Sequence, residues 1–208
     1  MDFTAAFSSA ISSAGLNPPA SIITNSGNLI RFRSGPGHKK NGYYRLTVVR
    51  GHNGDDLAFG VFGCWKRGIE KKWHSKDPAK YTAYDKERQR QEQEKIRREA
   101  EEKARNAAIR AQKIWKRAKA ADAKHQYLLK KQIELGAINA GGIRQYKNSL
   151  VIPVYADGVL TSLQFISPDG GKLFLSGGRM QGGYASVSRK EDSREVIVIA
   201  EGYATAAS

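Results

Sequence analysis

The chain has 208 residues, of which 35 are Lys or Arg and 20 are Asp or Glu, giving a formal net charge of +15. Hydrophobic residues make up 40% and charged residues 26%, which excludes a wholly disordered chain and fits one or two folded domains with a polar segment between them. The single cysteine, Cys64, excludes an internal disulfide and fits a reducing compartment. No apolar run approaches the length of a membrane span, and Met1-Asp2-Phe3 carries no basic leader, so a cytoplasmic protein with no membrane partner is expected. The positive excess points to a polyanion, with nucleic acid ahead of an anionic membrane or an acidic protein.

Residues 2–16 place Phe3, Phe7, Ile11 and Leu16 near helical spacing, with a stop at Gly15 and Asn17-Pro18-Pro19 beyond it. Residues 29–73 read as a small β-unit. Leu29 to Arg33 alternates apolar and basic residues, Tyr43 to Val49 is rich in aromatic and β-branched types, and Leu57 to Phe62 follows an Asn53-Gly54 turn. Trp65 and Trp73 flank the basic stretch from Lys66 to Lys72. The basic and aromatic residues Arg31, Arg33, Lys39, Lys40, Tyr43, Trp65, Lys66, Arg67 and Trp73 suit single-stranded DNA, whose bases stack on rings while its phosphates meet cations. For any one aromatic, a place in the core competes with that role.

Residues 79–132 contain no Gly or Pro, and from Asp85 to Lys131 basic residues are twice as many as acidic ones. The spacing predicts one long helix, or two end to end, reaching ~80 Å if continuous. Glu94→Arg98, Glu99→Lys103 and Glu101→Arg105 are favourable i,i+4 pairs. A thin Ala-rich stripe predicts a solvated first half and a second half docked through Ile114, Trp115, Leu128 and Leu129.

Gly136 to Gly142 breaks this pattern. Leu150 to Tyr155 and Leu160 to Ile166 then read as a hairpin about Asp157-Gly158, with shorter strands at Lys172–Leu175 and Tyr184–Val187. Val196 to Ala200 is a continuous apolar run, the mark of a strand buried on both faces. It delivers Glu201 to its end, Gly202 supplies a turn, and Tyr203 to Ala207 has the composition of a starting helix. A carboxylate in that place suits a metal ligand or general base, and equally a helix-start residue stabilised by the dipole. A strand that enters a helix needs a return strand, so the domain owning Glu201 is expected to be incomplete within these residues.

Glu201-Gly202-Tyr203-Ala204-Thr205-Ala206 resembles the first motif of the Toprim domain, the metal-dependent core of DnaG-type primases and topoisomerases. The stretches Leu150–Val154, Asp157-Gly158, Ser162–Ile166, Asp169–Lys172, Phe174–Gly178 and Gly182–Tyr184 resemble the RNA polymerase domain of Toprim primases and primase-helicases of phages, plasmids and other mobile elements. The resemblance covers residues 137–208 and, more loosely, 1–75. It implies an α+β chain in three parts. Residues 1–76 are a small DNA-binding unit in the zinc-ribbon position. Residues 77–135 are a long basic helical linker. Residues 136–208 are a mixed β lobe leading into an incomplete Toprim α/β core.

The resemblance also implies roles. Glu201 matches the glutamate that acts as general base or helps hold catalytic magnesium, and the partner carboxylates lie on later strands. A single-stranded DNA template, nucleoside triphosphates and a replicative helicase are the implied partners, and primer synthesis by nucleotidyl transfer is the implied activity of the parent protein. The present residues alone are expected to bind rather than polymerise. Arg144, Lys147, Lys172, Arg179 and Arg189 are the basic residues of this lobe expected along the nucleic-acid path. Zinc is not expected, because no Cys-x-x-Cys or close His pair surrounds Cys64. A second reading keeps the binding and drops the catalysis: a single-stranded-nucleic-acid module serving replication or anti-defence of a mobile element.

Overall fold

A computed structural model of the chain describes residues 2–52, 54–135, 142–187 and 199–207. They form an α+β protein with two antiparallel sheets, in two compact units that meet in sequence at Ala100–Glu101.

In the first unit, Asp2 caps helix α1 (Phe3–Ser13) by accepting from the Thr4 and Ala5 N–H groups. Gly15 ends the helix at φ +73°, as the sequence predicts. A four-stranded meander follows: β1 (Ile30–Phe32), β2 (Gly42–Arg50), β3 (Asp56–Cys64) and β4 (Ile69–His74), in that spatial order. Alternation sorts the side chains. Tyr44, Leu46 and Phe62 join Phe7, Ile11 and Leu16 in the core beneath α1. The opposite face carries Val49, Leu57 and Phe59, which pack with Tyr81.

Helix α2 (Ala83–Arg117) starts on a reciprocal cap. Thr82 Oγ1 accepts from the Asp85 N–H, and Asp85 Oδ2 accepts from the Thr82 N–H. Asp85 Oδ1 also accepts from the His52 N–H, which pins the helix start to the turn after β2. In the first half of the helix Asp85 and Ile96 are buried and the remaining residues are exposed or half-buried, so it packs at few points, as expected. Ile96 belongs to the expected apolar stripe, whereas the polar Asp85 does not. The expected pair Glu94–Arg98 forms, at 2.8 Å.

In the second unit the strands run β5 (Lys119–Ala120), β6 (Arg144–Tyr146), β7 (Ser149–Ala156), β8 (Val159–Ile166) and β9 (Lys172–Phe174). The predicted hairpin is present. Asp157 and Gly158 turn it at φ +52° and +76°, the left-handed pair a two-residue hairpin loop requires. One face packs Val151, Leu160 and Leu163 against Ala111, Ile114 and Trp115 of α2. The other packs Leu150, Ile152 and Ile166 against α3 (Gln126–Lys131) and α4 (Tyr203–Ala207).

The predicted long helix therefore ends at Arg117, with no Gly or Pro to stop it. Lys119-Ala120 pairs with Arg144-Gln145 instead, so sheet hydrogen bonds override helix propensity. Leu129, expected to dock, is 62% exposed, whereas Leu128 is fully buried. Tyr184 makes only an isolated bridge to Tyr155, not a strand. No helix among the described residues is long and apolar enough to cross a membrane.

Candidate nucleic-acid interface

Register places Arg31, Tyr43, Gly63 and Glu70 in one row across β1 to β4, on the face opposite α1. Gly63 makes the row possible. A Cβ there would meet the Tyr43 hydroxyl at 2.6 Å and also the Ile69 carbonyl, so only glycine lets the Tyr43 ring lie across the sheet. Tyr43 donates to Glu70 Oε2 at 2.8 Å. Burial, and then this bond and the Glu70 charge, push the Tyr43 hydroxyl up to about 12, so it stays protonated and keeps the carboxylate engaged.

Trp65 stacks on that buried ring, with centroids 4.3 Å apart and planes tilted by 31°. The indole is 53% exposed, and it opens the single 3-10 turn Trp65–Arg67 that joins β3 to β4. The Arg31 guanidinium lies 5.1 Å from its centroid and donates to the Lys40 carbonyl through Nη2 at 2.9 Å. The result is a fixed, half-exposed aromatic ring held by the Tyr43 ring and by the Arg31 guanidinium over it. Exposed Arg33, Lys39, Lys40 and Lys66 belong to the same unit. Such a surface can stack a base and attract phosphates.

Two expected members sit elsewhere. Trp73 points to the α1 face, where its ring meets Phe7 edge-on at 5.3 Å, so it is not brought to Trp65. Arg67 donates to the Gly15 carbonyl at 2.6 Å and ties the 3-10 turn to the end of α1. The face also carries Arg45, which the sequence reading passed over. Strict alternation from Tyr43 along β2 was the available signal.

In the second unit the predicted cations are engaged locally. Arg144 lies 4.4 Å over the Trp115 ring and donates to the Trp115 carbonyl at 2.6 Å. Lys147 Nζ is 5.9 Å from the Tyr146 ring, and Arg179 pairs with Asp157 at 3.3 Å. Lys172 Nζ is 5.9 Å from the Tyr127 ring and stands beside the Glu201-Gly202 turn, 3.9 Å from where a Gly202 Cβ would be. Arg189 lies outside the described residues.

Glu201 is exposed, just before α4. Tyr203 and Ala207 anchor that helix in the core, and burial pushes the Tyr203 hydroxyl up to about 12. Residues 196–198 of the expected strand lie outside the described residues. Ile199 and Ala200 are not in a strand, and Ile199 is 93% exposed, so the run is not buried up to Ala200. Among the described residues no three His, Cys, Asp or Glu side chains group as a metal site. One carboxylate beside an ammonium group does not by itself make a magnesium site.

No family model matches the chain, and no solved structure matches it. Among curated proteins it is similar to DNA primase TraC of Escherichia coli, 31% identical over 150 residues, which cover 69% of this chain. The matched stretch is 14% of that primase's length. This likeness supports a primase-like relationship and no finer one.

Proposed function

We propose that the chain is the N-terminal part of a DNA primase and that its first unit holds the single-stranded template. The observation that carries the binding is the half-exposed Trp65, fixed on Tyr43 with the Arg31 guanidinium over its ring. An indole held in place by a buried ring loses little freedom when a base stacks on it, and stacking tolerates any sequence. The cations of the same unit supply a sequence-independent attraction that falls with salt. The likeness to DNA primase TraC supports the further step from binding to priming.

In this reading Glu201 is the first carboxylate of a Toprim site completed by residues outside this chain. Magnesium, nucleoside triphosphates and a replicative helicase belong to that larger assembly, in the cytoplasm. What these residues contribute is placement. The β7–β8 hairpin carries β9, and β9 sets Lys172 beside the Glu201-Gly202 turn, where an ammonium group could meet phosphate oxygens.

Binding of a labelled oligothymidylate across a salt series tests the first step. Affinity should fall steeply and linearly on logarithmic axes, and weak, salt-independent binding would contradict the reading. Primer synthesis by the parent protein tests the second. Glu201→Gln should abolish synthesis while leaving oligonucleotide affinity unchanged, and undiminished synthesis would remove Glu201 from the site.

A further inference from the structure

Between α2 and the second face of the first sheet lies a cleft of about 260 Å³. Phe59 and Ile96, both buried, are among its lining residues. Its polar lining is Arg45, Thr47, Lys72, His74, Gln89 and Gln93, and no carboxylate lines it. Arg45 and Lys72 stand in one row, either side of Val61, on β2 and β4. Strands two apart in a sheet are ~10 Å apart, a gap that an arginine and a lysine arm can close onto one anion.

The helix wall is unusual for a docking face. Asp85, Gln89, Gln93 and Ile96 are spaced to share one side of α2, and the middle two positions are amides. Amides in place of Leu or Ala forgo apolar burial, and they donate as well as accept. Among the described residues, the side chains of Arg45, Lys72, Gln89 and Gln93 have no hydrogen-bond or ion-pair partner. Burial, and then the Lys72 charge, hold the His74 imidazole below its ordinary value. His74 bonds instead to the Tyr81 hydroxyl at 3.0 Å.

We infer that this cleft seats the phosphodiester backbone of a single strand, held by Arg45 and Lys72 against Gln89 and Gln93, while a neighbouring base rests on Trp65. The inference rests on the proposed single-strand binding and adds the seat of the backbone. The row of Arg45 is two residues along β2 from the row of Tyr43, ~7 Å, a step that adjoining nucleotide groups can bridge. Lys72 and Gln93 are exposed, so a polymer can run past them.

The test uses the full chain and a fluorescein-labelled oligothymidylate, with adenosine triphosphate as competitor. Arg45→Ala with Lys72→Ala should weaken binding about tenfold or more and lower the salt slope by ~0.7 per cation removed. Gln93→Glu, on the exposed helix surface, should weaken binding while preserving the circular-dichroism spectrum, which guards against a folding artefact. Lys124→Ala, an exposed residue of the second unit, is the charge control. If wild type binds with a steep salt slope and both cleft variants match the Lys124→Ala control, the cleft inference fails while single-strand binding stands. If wild type does not bind the oligonucleotide, both fail. If the triphosphate binds in a manner dependent on Arg45 and Lys72 and the oligonucleotide does not, the seat belongs to free nucleotides and the inference is overturned.

Discussion

The two sheets share a construction and differ in how they use their positive charge. Each is an antiparallel meander with apolar clusters on both faces. In the second unit Arg144 is spent on Trp115, Arg179 on Asp157, and Lys172 leans on Tyr127. In the first unit the aromatic platform itself is exposed, and Arg45 and Lys72 line a cleft without a carboxylate. A net charge of +15 says that a polyanion is welcome, and the local partners say which cations are available to it.

The sharpest way to break this comparison is to destroy one scaffold. Phe7 is fully buried and meets Tyr44, Phe62 and Trp73. Phe7→Ala should cost about 3–5 kcal/mol and abolish oligonucleotide binding. Hydrogen exchange should then rise across β2 and β3, with the β7–β8 hairpin still protected. Loss of protection in both sheets would mean that the two do not unfold separately.

A smaller effect isolates the platform. Trp65→Ala removes a ring that is half exposed, so the fold should survive. Oligonucleotide affinity should drop by about 1–3 kcal/mol, measured by anisotropy. The corresponding change in the second unit, Arg144→Ala, should reduce thermal stability more than affinity, because its guanidinium caps Trp115.

Asp85 offers a pH test of how α2 is fastened. Burial alone would raise its carboxyl, but bonds from Thr82 and the His52 N–H hold it below the ordinary value. A carboxyl lowered on folding stabilises the protein above its unfolded pKa of about 3.9. That contribution is lost as pH falls through the folded value. The melting difference between wild type and Asp85→Asn should be present at pH 7 and shrink progressively as the pH falls below the unfolded value of about 3.9. Thr82→Ala, which removes the other half of the cap, should cost about 1 kcal/mol. The smallest change expected is at Arg179–Asp157, an exposed pair whose removal by Arg179→Ala should alter stability by less than about 1 kcal/mol.

Much of this was legible in the chain. The hairpin about Asp157-Gly158 announced itself through turn residues between two apolar runs, and α1 through Phe7 and Ile11. Strand β4 was not, because Ile-Glu-Lys-Lys-Trp-His lacks clean alternation, having a charged residue on both faces. Nor was the docking of α2 in the first unit, since Asp85, Gln89 and Gln93 present polar groups where a pattern search looks for leucines. Trp65 and Trp73 read alike in sequence, and only the register separates an exposed platform from a core ring. Of the run expected to carry Glu201, residues 196–198 lie outside the described residues, and Ile199 and Ala200 are not in a strand.

The most direct test of the account watches Trp65 itself. Replacing the other two tryptophans, by Trp73→Phe and Trp115→Phe, leaves it as the only indole. Adding oligothymidylate should quench its fluorescence, and raising the salt should restore it. An emission unchanged while the oligonucleotide is bound would place the single strand elsewhere and contradict the account.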